Sequence, residues 1–159
     1  MVPFDDDLYQ ECVDEAIRRG YLMDGTPSVR TYLREGVTYT ATACGHLPHR
    51  PTQIWAALYL ACSFFVDDAM ARFPSEITNI YQFNQRFVRG QAQGNDVLDA
   101  FADLLHQVPD LFQPASSNLI VTSTLNSVTG NLLEHETKSM QVHIAIHTST
   151  IPILDDDNG

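Results

Sequence analysis

The chain has 159 residues, with 9 lysines and arginines against 20 aspartates and glutamates, a formal net charge of −11. That balance, with Lys138 as the sole lysine, excludes the basic patch that nucleic acid or an anionic membrane surface requires. With 44% apolar and 18% charged residues the chain is too apolar to be disordered, and its length suits one domain with its own core.

The first expected helix runs from Asp5 to Arg19 and places Leu8, Cys12, Val13, Ala16 and Ile17 on one face. Aspartates at its start and arginines at its end suit the helix dipole, and Gly20 ends it. Asp24-Gly25-Thr26-Pro27 reads as a turn. Ser28 then caps a second helix carrying Val29, Leu33, Val37 and Thr40. Gly45 to Pro51 reads as a loop with two prolines. Thr52 to Arg72 follows, apolar all round from Ile54 to Val66, as expected of a central core helix. The run from Ile54 to Val66 is shorter than the roughly 20 residues a bilayer span needs. No apolar stretch follows Met1, so the expectation is a soluble, cytoplasmic chain.

Pro74 stops the core helix. Glu76 to Val88 repeats apolar residues at Ile77, Ile80, Tyr81, Phe83, Phe87 and Val88, a further helix that fails at Gly90. Asp96 to Gln107 is another, ended by Pro109. Pro114 opens a long helix through about Met140, with Leu119, Ile120, Val128, Leu132 and Leu133. From Gln141 to Thr150, Val142, Ile144 and Ile146 alternate with His143, Ala145 and His147, a strand-like pattern, before a polar tail that ends at Gly159. Five or six helices joined by short loops predict a single all-α bundle over residues 1–140. Residues 141–159 read as an atypical tail.

Three cysteines, Cys12, Cys44 and Cys62, have no CxxC spacing and read as free thiols. The six histidines fall in no zinc-ligand spacing. GxSxG, P-loop and GxGxxG strings are absent. Arg86 and Arg89 read as exposed arginines of an amphipathic helix, although they are placed to meet an anion. The run Asp155 to Asp157 reads as solvated. In Glu134-His135-Glu136 the two carboxylates, two residues apart on a helix, point to nearly opposite sides. Glu134 is instead spaced to pair with Lys138.

Asp67-Asp68 is the most informative pair. Two adjacent carboxylates on the most buried helix need a cation or hydrogen bonds, or else the helix surfaces there beside Arg72. Neighbours on a helix sit about 100° apart. Beyond a helix end they can still converge on a hard cation such as Mg²⁺, which prefers oxygen ligands and arrives with substrate phosphates.

At this pair the sequence resembles a known family. Gln53-Ile-Trp-Ala-Ala-Leu-Tyr-Leu-Ala-Cys-Ser-Phe-Phe-Val-Asp-Asp68 is similar to the aspartate-rich helix of class I terpene cyclases, and most similar to the fungal trichodiene synthase family. Phe83-Asn-Gln-Arg-Phe-Val-Arg-Gly90 occupies the place of that family's next helix. Asn118 to Asn126, running into Gly130-Asn-Leu-Leu-Glu-His-Glu136, matches a long helix with a Gly and, four residues on, a Glu. The resemblance extends from about Val29 to Met140. It implies an all-α fold with a deep apolar cavity. It also implies a lyase of fungal secondary metabolism in which Mg²⁺ ions grip farnesyl diphosphate, release pyrophosphate and leave a carbocation to cyclise to a sesquiterpene. Mapped onto this chain, Asp67 is the metal ligand and Asp68 its supporting partner. Trp55, Tyr59, Phe64 and Phe65 are the candidates for an aromatic cavity wall. The family's further acid is replaced by Met70 and Ala71, and its second metal motif, N-D-x-x-S-x-x-x-E, is absent. The expectation is therefore an incomplete cyclase that exposes apolar stripes and tends to dimerise. The alternative is a non-catalytic helical interaction or regulatory remnant.

Overall fold

In a computed structural model the chain is described over residues 3–149, with side chains described to residue 143. Every regular element described is helical: α1 (Asp6–Arg18), α2 (Leu33–Ala43), α3 (Arg50–Arg72), α4 (Ile77–Val88), α5 (Asp96–His106), α6 (Val108–Leu111) and α7 (Pro114–Ser149). Short 3-10 turns at Val29–Tyr32 and Pro74–Glu76 lead into α2 and α4. The all-α expectation holds.

Local chemistry sets the boundaries. Asp5 caps α1 by accepting from the Leu8 N–H at 2.8 Å. Asn95 caps α5 by accepting from the N–H groups of Val97 and Leu98. Ser28 and Thr31 form a reciprocal capping box at the turn into α2. Pro51 sits in the first turn of α3, where its missing N–H costs nothing, so the expected loop ends one residue before Arg50. Pro109 likewise opens the short α6 rather than simply ending α5.

The helix α3 is apolar all round because other helices cover it on opposite sides. Ala57 and Ala61 face α2, where Gly36 lets the backbones approach closely: a Cβ at Gly36 would lie 2.3 Å from the Ala57 carbonyl oxygen. Positions 59, 63, 66 and 67, nearly opposite on the helical wheel, face α5 and α7. Trp55 is buried against α5 and α6, donating its indole N–H to the Leu104 carbonyl at 2.9 Å and meeting Phe112 edge-on. Among the described helices α3 is the one long and apolar enough to cross a membrane, and half of its most apolar window is buried inside the bundle.

The core is the buried set Leu8, Leu33, Leu58, Phe65, Ile80, Phe83, Leu98, Phe101 and Leu104 with their smaller neighbours. Cys12 and Cys62 are buried in it and all three cysteines are free thiols, as expected. Ile17 departs from expectation: it is 60% exposed, outside the α1 stripe.

The strand-like reading of residues 141–150 is overturned. The long helix continues to Ser149. No Gly or Pro interrupts the chain between Met140 and Ser149, so each further residue adds a helical hydrogen bond at little cost. Thr150 and the tail with Asp155 to Asp157 lie outside the described residues.

Two glycines give opposite expectations. Gly36→Ala forces α2 off α3 and should destabilise the fold by about 1–3 kcal/mol. A Cβ at Gly130, inside α7, meets nothing within 4 Å, so Gly130→Ala should stabilise by about 0.5–1 kcal/mol. Urea unfolding of the two variants beside the parent measures both.

Candidate functional site: the Asp67–Asn131 cleft

The carboxylate pair lies where α3 leaves the core. Val66 and Ala69 are buried, Asp67 is exposed and Asp68 half-buried. The helix runs on to Arg72, more than a turn past the pair, so the two side chains keep their angular separation and diverge.

Asp68 turns towards the turn before α2. Its Oδ2 accepts from Tyr32 Oη at 2.7 Å and from Arg72 Nη1 at 3.0 Å. The neighbouring Arg72 charge is the one that a surfacing helix was expected to provide. Burial of the Tyr32 hydroxyl, and then its hydrogen bond to Asp68, push the phenol ionisation above its ordinary value.

Asp67 turns the other way, across a cleft to α7. Its Oδ1 accepts from Asn131 Nδ2 at 2.6 Å. No other hydrogen bond or ion pair to Asp67 occurs among the described residues. Asp67 and Asn131 stand between two depressions. The outer one, about 290 Å³, is bounded by Met70 and Ala71 on α3 and by Glu134, His135 and Lys138 on α7. The inner one, about 50 Å³, is lined by Tyr59, Ser63, Val66, Phe101, Thr124 and Val128.

Three hydrogen bonds fix the register of α7 beside this cleft. Tyr59 Oη and Thr124 Oγ1 are 2.7 Å apart. Asn84 of α4 donates to the Leu125 carbonyl at 2.9 Å and to Thr129 Oγ1 at 3.0 Å. Further along, Tyr81 donates to Glu136 at 3.0 Å.

The expected Glu134–Lys138 pair forms at 2.6 Å, and Lys138 holds the Glu134 carboxyl below its ordinary range. Glu134 faces the outer cleft while Glu136 faces α4, so the two carboxylates diverge as their spacing predicts. Arg86 does not wait for an anion. It donates to the Gln93 carbonyl at 2.6 Å and to Asn79, clamping the loop between α4 and α5.

The four aromatic candidates separate. Tyr59 lines the inner depression. Trp55 stacks on Tyr59 but opens onto a different cleft, between α1, α3, α5 and α6. Phe65 is fully buried against Phe73, and Phe64 packs on Tyr39 of α2. The inner depression, beside Asp67, falls well short of the roughly 300 Å³ of a typical ligand pocket.

The donors fit a hard cation in part. A carboxylate with one uncommitted oxygen, beside a second carboxylate at Glu134, suits the one or two protein ligands that Mg²⁺ takes when phosphates supply the rest. No group of three acidic, His or Cys side chains among the described residues is placed to hold a metal alone. Asn131 was inside the matched stretch Gly130 to Glu136 but carried no role in the sequence reading, and Lys138 figured only as the partner of Glu134. Their approach to Asp67 depends on contacts between α3 and α7 that spacing along the chain does not encode.

No protein-family model matches the chain. Curated relatives do. Alpha-cuprenene synthase COP6 of Coprinopsis cinerea is 28% identical over 144 residues, 89% of this chain and 43% of that protein. Longiborneol synthase CLM1 of Gibberella zeae is 36% identical over 103 residues, 64% of this chain and 29% of that protein. Monoterpene synthase 25 of Postia placenta is 29% identical over 110 residues, 69% of this chain and 32% of that protein. The chain thus spans less than half the length of each of these relatives.

Tyr32→Phe should cost about 1 kcal/mol by removing the hydrogen bond to Asp68. Because the folded-state ionisation of Tyr32 is raised, the stability it contributes is complete below the unfolded value of 10.0 and is lost as pH climbs through the folded value. Chemical denaturation from pH 7 to 11 should show a smaller alkaline loss in the Phe variant than in the parent. The relatives of this all-α chain are fungal terpene synthases.

Proposed function

We propose that this chain carries the aspartate-rich, diphosphate-binding side of a class I terpene cyclase, with a prenyl diphosphate such as farnesyl diphosphate as substrate. The observation that carries the reading is the separation of the two carboxylates: Asp68 is paired with Arg72, whereas Asp67 has no cationic partner among the described residues and faces a cleft. Similarity to terpene synthases over most of the chain supports it.

In this reading Asp67 is the metal ligand and Asp68 the anchor that fixes the end of α3. Mg²⁺, when bound, screens the charge that develops on the departing diphosphate. Glu134 and Lys138, paired at 2.6 Å, line the same cleft; on parting, Glu134 would supply a second carboxylate beside the cation and Lys138 a positive charge for a phosphate oxygen. Heterolysis of the allylic C–O bond sends the electron pair to the diphosphate oxygen and leaves the cation on the hydrocarbon. A cyclase then needs a dry apolar wall to fold that cation, and Tyr59, Val66 and Phe101 give only a small part of one. The role assigned to these 159 residues is accordingly capture of metal and diphosphate, with Asp67 at its centre.

Isothermal titration of the purified chain with inorganic pyrophosphate in Mg²⁺ tests this. Binding should require Mg²⁺. Asp67→Asn should weaken it at least about tenfold, and Asp68→Asn should weaken it less while lowering thermal stability. Metal-independent binding, or equal binding by the Asp67 variant, would contradict the reading.

A further inference from the structure

The structure assigns to Asn131 the role of a positioning residue for Asp67, a role that rests on the proposed metal-binding reading. The two carboxylates of the pair are held by different chemistry. Asp68 is met by a phenol and a guanidinium, so it has a cationic partner. Asp67 is met at 2.6 Å by a neutral amide, which turns one oxygen across the cleft and leaves the net charge of the carboxylate intact. A ligand for a hard cation needs this combination of a fixed rotamer and undiminished negative charge. An arginine at position 131 would fix the rotamer as well but bring a positive charge beside it.

The amide is delivered from an anchored base. Asn84 grips Leu125 and Thr129, and Tyr59 meets Thr124, so α7 is fixed in the two turns that precede Asn131. Asn131 is only half-buried, and leucine keeps the branched shape of its side chain without a donor. Its conservation of shape with loss of the hydrogen bond separates positioning from packing.

The test is Mn²⁺ binding in the presence of inorganic pyrophosphate, followed by electron paramagnetic resonance. Asn131→Leu should weaken Mn²⁺ about tenfold or more and broaden the signal of the bound ion, because the ligand oxygen is no longer held in one place. Asn131→Gln, which keeps an amide donor on a longer arm, should recover part of the affinity with the narrower signal. Should the Leu variant fail to fold, Asn131→Ser gives the same loss of donor with less apolar surface. Parent-like affinity and line shape in a folded donor-less variant, with Asp67→Asn still inactive in binding, would overturn the role of Asn131 and leave the metal-binding reading standing. Equal losses in the Leu and Gln variants, matched by equal falls in melting temperature, would reduce Asn131 to a packing residue and overturn the role as well. Absence of Mn²⁺ binding by the parent chain would overturn both.

Discussion

The arrangement of this molecule follows from the burial of one helix. Arg50–Arg72 is apolar on nearly every face through its middle, so other helices pack against it on opposite sides. The absence of a side chain at Gly36 lets α2 lie directly against Ala57 and Ala61. On the opposite side α5 and α7 close over Tyr59, Ser63 and Val66. Towards its C-terminal end the helix emerges, and the first charges there are Asp67 and Asp68. The position of the carboxylates is thus a consequence of where the apolar surface runs out.

Emergence from a helix interior, rather than from a helix end, gives the pair its asymmetry. Two neighbouring side chains on a continuous helix leave it about 100° apart. Each is claimed by a different element: Asp68 by the turn carrying Tyr32 and by its own helix through Arg72, Asp67 by Asn131 on α7. One carboxylate is ion-paired with Arg72 and the other is met by a neutral amide. An exposed ion pair such as Asp68–Arg72 contributes little to stability by itself. Its effect here is to fix an orientation and to leave Asp67 as the charge that faces the cleft.

Much of the fold was legible in the residues. The 3.6-residue spacing in α1, α4 and α5, the cap at Ser28 and the uninterrupted apolar run of α3 each led to the element observed. The alternation of Val142, Ile144 and Ile146 with His143 and His147 misled, because a helix already 27 residues long at Met140 propagates through such a pattern unless Gly or Pro stops it. Pro109 was read as a stop although proline is at home in the first turn of a helix, where α6 uses it. The Glu134–Lys138 pair was legible because its partners share one helix. The Asp67–Asn131 contact was not, since its partners are separated by 64 positions and meet only once α7 has packed. Of the aromatic candidates, the helical wheel alone could not tell Tyr59, which reaches the cleft, from Phe65, which faces the core.

The central claim is that the two aspartates have separate roles. It is tested most directly by crystallising the chain with Mn²⁺ and inorganic pyrophosphate and locating the metal by its anomalous signal. The account predicts a metal peak within coordination distance of an Asp67 carboxylate oxygen, in the cleft between α3 and α7, with Asp68 still accepting from Tyr32 and Arg72. A metal bridging both aspartates, or bound away from Asp67, would contradict it.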